Sequence, residues 1–179
     1  MTTSWLSPDV IDEIQSEVSG LGRYINPSKL EGEKRLRCIG EGITGFSAWT
    51  VDKKPIRWEA KPVHLPSNLA PDLSGKVALK RFIASIVYDY EAGDFKILEI
   101  TQQTLMTQLF KFIKDDEYGD PKDYDIKISK KGQGKDTEYS LLASPPRPVS
   151  KDIATSFEGV VCNLRALFDG EDPWGEPKA

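Results

Sequence analysis

The segment Tyr124-Asp-Ile-Lys-Ile-Ser-Lys-Lys-Gly-Gln-Gly-Lys-Asp-Thr-Glu-Tyr139 constrains the fold of this chain more than any other. Ile126 and Ile128 alternate with Lys127 and Ser129, and Thr137, Tyr139 and Leu141 alternate with Glu138 and Ser140. Period-two patterning on both sides of a break predicts a β-hairpin whose loop runs from Lys130 to Asp136. That loop carries Lys130, Lys131 and Lys135 against the single acid Asp136, and Gly132 and Gly134 make it flexible. A basic finger on a hairpin suits the grip on a polyanion better than it suits catalysis.

The net charge of -4 argues the other way, so the distribution of charge matters more than its sum. Between Glu33 and Lys61 lie Lys34, Arg35, Arg37, Lys53, Lys54, Arg57 and Lys61 against Glu33, Glu41, Asp52 and Glu59. The end of the chain is acidic, with Asp169, Glu171, Asp172 and Glu176 against Lys178. A chain of 179 residues with 39% hydrophobic content can bury a sizeable single core. No apolar run reaches membrane-spanning length, and Met1 to Trp5 lack the charge-then-apolar pattern of a secretory leader. Cys38 and Cys162 lie far apart and read as small buried hydrophobes of a reduced, cytoplasmic compartment.

Along the chain, residues 1–33 read as an N-terminal helix and linker. Ser7 is the expected N-cap, Pro8 the first helical position and Gly20 the stop, with Val10, Ile11, Ile14 and Val18 on one stripe. Residues 34–148 read as one mainly β domain. Lys34 to Val51 is a long strand broken by Gly40, Gly42 and Gly45, as a curved strand with a bulge requires. Asp52 to Lys76 is proline-rich and irregular, Val77 to Tyr90 is a second strand, and a turn at Glu91 to Asp94 leads into Phe95 to Ile100. In the second strand Phe82, Ala84, Ile86, Tyr88 and Tyr90 share a face opposite Arg81, Ser85 and Asp89. Thr101 caps a helix reaching about Glu117, and the basic hairpin follows. Residues 149–168 read as a C-terminal amphipathic helix and 169–179 as a disordered acidic tail.

Strand, strand, strand, helix, strand, strand is the order of an OB-fold: a five-stranded barrel with one helix between its third and fourth strands, here with a helix added at each end. In that architecture the loop after the first strand (Asp52 to Lys76) and the loop after the fourth (Lys130 to Asp136) flank the ligand groove, and both are basic here.

Several of these runs occur together in one family. Arg35-Leu-Arg-Cys-Ile39, Gly45-Phe-Ser-Ala-Trp49-Thr50 and Lys54-Pro55-Ile-Arg57 resemble the opening of single-stranded DNA-binding proteins encoded by tailed bacteriophages. Ile97-Leu-Glu-Ile-Thr101-Gln102, Gly119-Asp-Pro121, Tyr124-Asp-Ile126 and Gly132-Gln-Gly134-Lys-Asp136-Thr137-Glu-Tyr139 extend the resemblance, which covers roughly residues 34–148. Ile39-Gly-Glu-Gly42 departs from the pattern. The resemblance implies an OB-fold that coats single strands during DNA replication, recombination or repair, without catalysis, in the host cytoplasm.

Such binders combine a basic groove with flat side chains on which bases stack. The candidates are Arg35, Arg37, Lys53, Lys54, Arg57, Lys80, Lys130, Lys131 and Lys135 for phosphates, and Phe46, Trp49, Trp58, Tyr88 and Tyr90 for bases. Phe82 and Tyr139 read as core, and the charged residues have an ordinary alternative as a solvated face. The lone histidine, His64, sits in a proline-rich loop, and neither cysteine has zinc spacing, so no catalytic residue, metal or cofactor is expected. The expected partner is single-stranded DNA, with self-association on it and recruitment of replication or recombination proteins through the acidic tail. If the tail competes with DNA, deleting residues 169–179 tightens binding at low salt. The acidic total and the end helices keep a second reading open, a protein-interaction accessory factor that docks on a polymerase or another replication or transcription protein. An RNA-binding OB protein is a third.

Overall fold

The computed structural model describes residues 23–174 apart from Leu73 and Ala78, together with Ser7 and Val10. The described chain is mainly β. Its strands are β1 (Tyr24–Ile25), β2 (Gly32–Cys38), β3 (Ile43–Trp49), β4 (Pro55–Trp58), β5 (Lys80–Asp89), β6 (Asp94–Ile100), β7 (Asp125–Lys131) and β8 (Glu138–Ala143). Helix α1 (Gln103–Ile113) lies between β6 and β7, and α2 (Lys151–Glu158) follows β8.

Strand β5 organises the sheet. One edge pairs with β6 from Ile83↔Ile100 to Asp89↔Asp94. The other edge is shared by β3 (Ile43↔Ala84 to Ser47↔Lys80) and β2 (Leu36↔Asp89 to Cys38↔Val87). Strands β2 and β3 are thus one long strand interrupted at residues 39–42, and the Ile39 N–H still donates to Ile86 O at 3.0 Å. The glycine-marked bulge expected there is present, and its extra residues shift the register against β5. Strand β2 also pairs with β7, β7 with β8, β3 with β4, and β1 runs parallel to β6. Among the described residues the ladder stays open, with β8 bonded to β7 alone.

Each face of this sheet carries a buried core. Leu36, Val87, Leu98, Ile100, Ile126, Ile128 and Leu141 form one core with Leu105, Met106 and Leu109 of α1. Phe82, Ala84, Ile86, Phe95 and Ile97 form a second with Ile153, Leu164 and Leu167 of the C-terminal segment. The expected polar face of β5 is therefore a correction: Ser85 and Asp89 are buried. Asp89 is tolerated because Lys34 and Lys96 donate to it at 2.7 and 2.9 Å. Burial alone would raise its pKa, but those two bonds hold it below the usual carboxylate value.

Several boundaries differ from expectation for local reasons. Helix α1 has Gln102 as its N-cap, not Thr101, and no side-chain cap bond; it stops at Ile113, so Asp115, Asp116 and Glu117 lie beyond its end. The single C-terminal helix expected to 168 is two pieces. Ser150 caps α2 by accepting from the Ile153 N–H at 3.3 Å, and Gly159 ends it before the β-branched pair Val160 and Val161. A 3-10 turn from Leu164 to Asp169 follows, capped by Asn163. The tail expected to be disordered is instead held as far as Trp174: Asn163 N–H donates to Pro173 O at 2.7 Å, and Trp174 packs against the second core. At the other end Ser7 accepts from the Val10 N–H as a cap should, while the rest of the expected N-terminal helix lies outside the described residues. Cys38 is buried and Cys162 half-buried, both as free thiols.

Candidate nucleic-acid interface

The basic hairpin is formed by β7 and β8, but its tip is shorter than its pattern suggests. Lys130 and Lys131 are strand residues, paired with Tyr139 and Glu138. Lys130 is tied down, donating to Ser28 O at 2.6 Å. A 3-10 turn at Gly134–Asp136 fills the loop, and Gly132, at φ 78°, lies against the Asp136 carbonyl where any side chain would collide. Lys131 and Lys135 remain exposed.

The second basic segment is also more ordered than expected. Its β4 pairs with β3, Thr50 pairs with buried Leu69, and Thr50 Oγ1 accepts from the Lys54 N–H at 3.0 Å. Lys53 adopts φ 62° in the exposed turn it shares with Lys54. The register puts the two basic segments at opposite ends of the broken β2–β3 strand, because Gly32 pairs with Lys130 while Trp49 leads into the turn. Neither of the two cavities described below takes a lining residue from the loop 130–136 or from residues 52–76.

What the fold does assemble is a row across three strands. Phe46 of β3 stands opposite Trp58 of β4 on one side and Arg81 of β5 on the other, so all three side chains share a face. The Arg81 guanidinium lies 4.2 Å from the centre of the Phe46 ring. Arg81 has no carboxylate within ion-pair distance among the described residues, and Phe46 and Trp58 are half-buried. Gly45 permits the row: a Cβ there would run into the Trp58 carbonyl and the Phe168 ring. Trp49 is 54% exposed nearby, and Lys80 is exposed at the start of β5. From Thr50 to Arg81 the sequence holds Lys53, Lys54, Arg57, Lys61, Lys76, Lys80 and Arg81 against Asp52, Glu59 and Asp72.

Arg81 also stands on the wall of an open, largely apolar cavity of about 790 Å³. Helix α1 contributes Met106, Leu109, Phe110 and Ile113, and β5 contributes Ile83 and Ser85. Phe110 and Ile113 are 43% and 39% exposed, unusual for large apolar side chains in one place.

Three expected contacts have internal duties. Arg57 donates to Glu99 at 2.6 Å. Tyr88 packs edge-on against Tyr90 and Phe95 under the C-terminal segment. Arg37 is 1% exposed and donates to Lys122 O at 2.9 Å, to Arg147 O at 2.7 Å and to Asp125 at 3.3 Å. Alternation correctly put Arg35 and Arg37 on the face away from Leu36; Pro145 to Arg147 then crosses that face and covers Arg37.

Arg35 stays half-exposed, 4.4 Å over the Tyr90 ring and ion-paired with Asp125. Asp125 is fully buried and also accepts from the Tyr90 hydroxyl at 2.7 Å and from Arg147 at 2.8 Å. Burial alone would push its carboxyl up, but the bonds from Tyr90, Arg35, Arg147 and Arg37 together bring the pKa down to about 2. Arg35, Lys127, Ser144, Pro145, Pro146 and Arg147 line a second cavity of about 420 Å³. Tyr90, expected with Tyr88 to meet bases, instead lies under Arg35 and donates to Asp125, and sequence reasoning missed Asp125, Lys127, Arg147 and Arg81. Asp125 and Lys127 were visible as the polar alternates of the hairpin strand, whereas Arg147 had no signal.

The described residues contain no group of three His, Cys, Asp or Glu side chains placed to hold a metal ion, and no helix long and apolar enough to cross a membrane. No protein-family model matches the chain, and neither does any curated protein or solved structure.

Proposed function

We propose that this chain is a non-enzymatic single-stranded DNA-binding protein of the OB class, resembling those of tailed phages. In this reading β2–β3, β5, β6, β7 and β8 are the five barrel strands, and the protein works in replication, recombination or repair in the cytoplasm of the host. The strand order supports it. The long first strand is bonded to both the second and the fourth, as an OB barrel needs, and α1 lies between the third and fourth.

One observation carries the reading: the Trp58–Phe46–Arg81 row, two rings and a flat guanidinium side by side where the net-basic stretch from Thr50 to Arg81 meets β3. Bases of any identity stack on such a platform while Lys53, Lys54 and Lys80 neutralise phosphates, which gives affinity without sequence preference. Stacking is worth about 1–3 kcal/mol per base, so Arg81→Ala and Trp58→Ala are each expected to weaken oligothymidine binding about tenfold. Fluorescence anisotropy at several salt concentrations checks this. The log–log slope for the wild type should be about -0.7 per phosphate contacted, and a flat salt response would count against the proposal. A preference for ribo-oligomers would redirect it to RNA.

The cavity beside α1 favours a second reading. Exposed Phe110 and Ile113 beside an apolar recess are what a protein-docking accessory factor presents. Silence toward oligonucleotides, with loss of a protein partner in Phe110→Ser, selects it.

A further inference from the structure

The cavity formed by Arg35, Lys127, Ser144 and Arg147 lies outside the stacking row, and its charge does not balance. Arg35, Arg37 and Arg147 converge on one carboxylate, Asp125, which is fully buried and already accepts from all three and from Tyr90. The cluster therefore keeps an excess of two positive charges, and Lys127, exposed on the same lining, adds a third that Glu33 answers only at 3.8 Å. Each guanidinium has five N–H donors, of which Arg35 commits two and Arg147 one to Asp125. Apart from the Tyr90 hydroxyl beside Arg147, the remaining donors have no protein acceptor among the described residues. Both arginines are pre-oriented, Arg35 by the Tyr90 ring beneath it and Arg147 by its own backbone, whose N–H donates to Asp123 O and whose carbonyl accepts from Arg37. Pro145 and Pro146 supply a stiff wall.

We propose that this cavity is a binding site for a dianionic phosphate group, held by Arg35, Arg147 and Lys127 with the Ser144 hydroxyl as a further donor. Planar guanidinium forks match the oxygens of a phosphate bidentately, and a terminal phosphate carries nearly two charges at neutral pH, whereas an internal phosphodiester carries one. The group can come from the end of a nucleic-acid strand or from a free mononucleotide.

The test uses the full chain with three probes: inorganic phosphate, thymidine 5′-monophosphate, and an oligothymidine with or without a 5′-phosphate. Phosphate or the mononucleotide should shift the Arg35 and Arg147 Nε–H resonances, and Arg147→Gln and Lys127→Gln should each weaken that binding about tenfold. Arg147→Gln keeps the backbone carbonyl that holds Arg37, and Lys127 is an exposed strand residue, so both are expected to fold; a cooperative thermal melt for each checks it. Tighter binding of the phosphorylated oligomer, lost in Arg147→Gln, assigns strand ends as the source. Equal binding of both oligomers, with the mononucleotide still bound, assigns the mononucleotide. Absence of any resonance shift at tens of millimolar phosphate would overturn the site while leaving the stacking row untouched.

Discussion

A chain ended at Pro148 is expected not to hold its fold. The C-terminal segment reads as an appendage, but it covers the second face of β5 and β6: Phe157 packs on Phe95, Phe168 on Phe82, and Ile153, Leu164 and Leu167 complete that core. Removing it returns Phe82, Ala84, Ile86, Phe95 and Ile97 to water. Each large apolar side chain so exposed costs about 1.5–3 kcal/mol, which together reaches the whole margin of about 5–15 kcal/mol by which such domains are stable. Size-exclusion chromatography and a thermal melt should show aggregation and no cooperative transition. Leu164→Ala is the milder probe, expected to cost about 2–5 kcal/mol in urea denaturation. A truncated chain that melted like the full one would mean that this face tolerates exposure.

Asp125→Asn is the point substitution expected to destabilise most. Arg37 is buried with one counterion, and an asparagine would leave its charge unanswered, along with part of the pairing of Arg35 and Arg147. Breaking a buried pair from one side costs about 3–5 kcal/mol. The same carboxylate predicts a pH dependence. Its pKa falls from 3.8 unfolded to about 2 folded, so its contribution is complete above about pH 4 and is lost as pH falls toward 2. The shift corresponds to about 2 kcal/mol. Asp89, whose pKa is also lowered, steepens acid unfolding in the same direction, so the difference between wild type and Asp125→Asn isolates Asp125. Urea midpoints at pH 7 and pH 3 measure it: the variant should lose stability at pH 7 and show a shallower decline on acidification. Equal slopes in both proteins would contradict the assignment.

The elements legible in the sequence were those set by short-range patterning. Alternation in Ile126, Ile128 and Leu141 located the basic hairpin, and glycines 40 and 42 marked the break between β2 and β3. Strand β4 was hidden because Pro55 and the prolines after it mask a four-residue strand whose partner is near in sequence but whose pattern is too short to register. The roles of Arg37 and Asp125 were not legible, because both depend on Pro145 to Arg147 crossing the sheet, a tertiary event with no periodic signature. The same limit applies to Arg81. Its position opposite Phe46 follows from the register of β3 on β5, which the two-residue shift at the bulge decides.

The most direct test follows tryptophan fluorescence while oligothymidine is added at low salt, in the wild type and in Trp58→Phe. Stacking on the Trp58–Phe46–Arg81 row predicts saturable quenching in the wild type and a clearly smaller amplitude in Trp58→Phe, with Arg81→Ala shifting the curve to about tenfold higher oligomer concentration. Fluorescence that does not change with oligomer, or a quenching curve that neither substitution alters, would contradict the account.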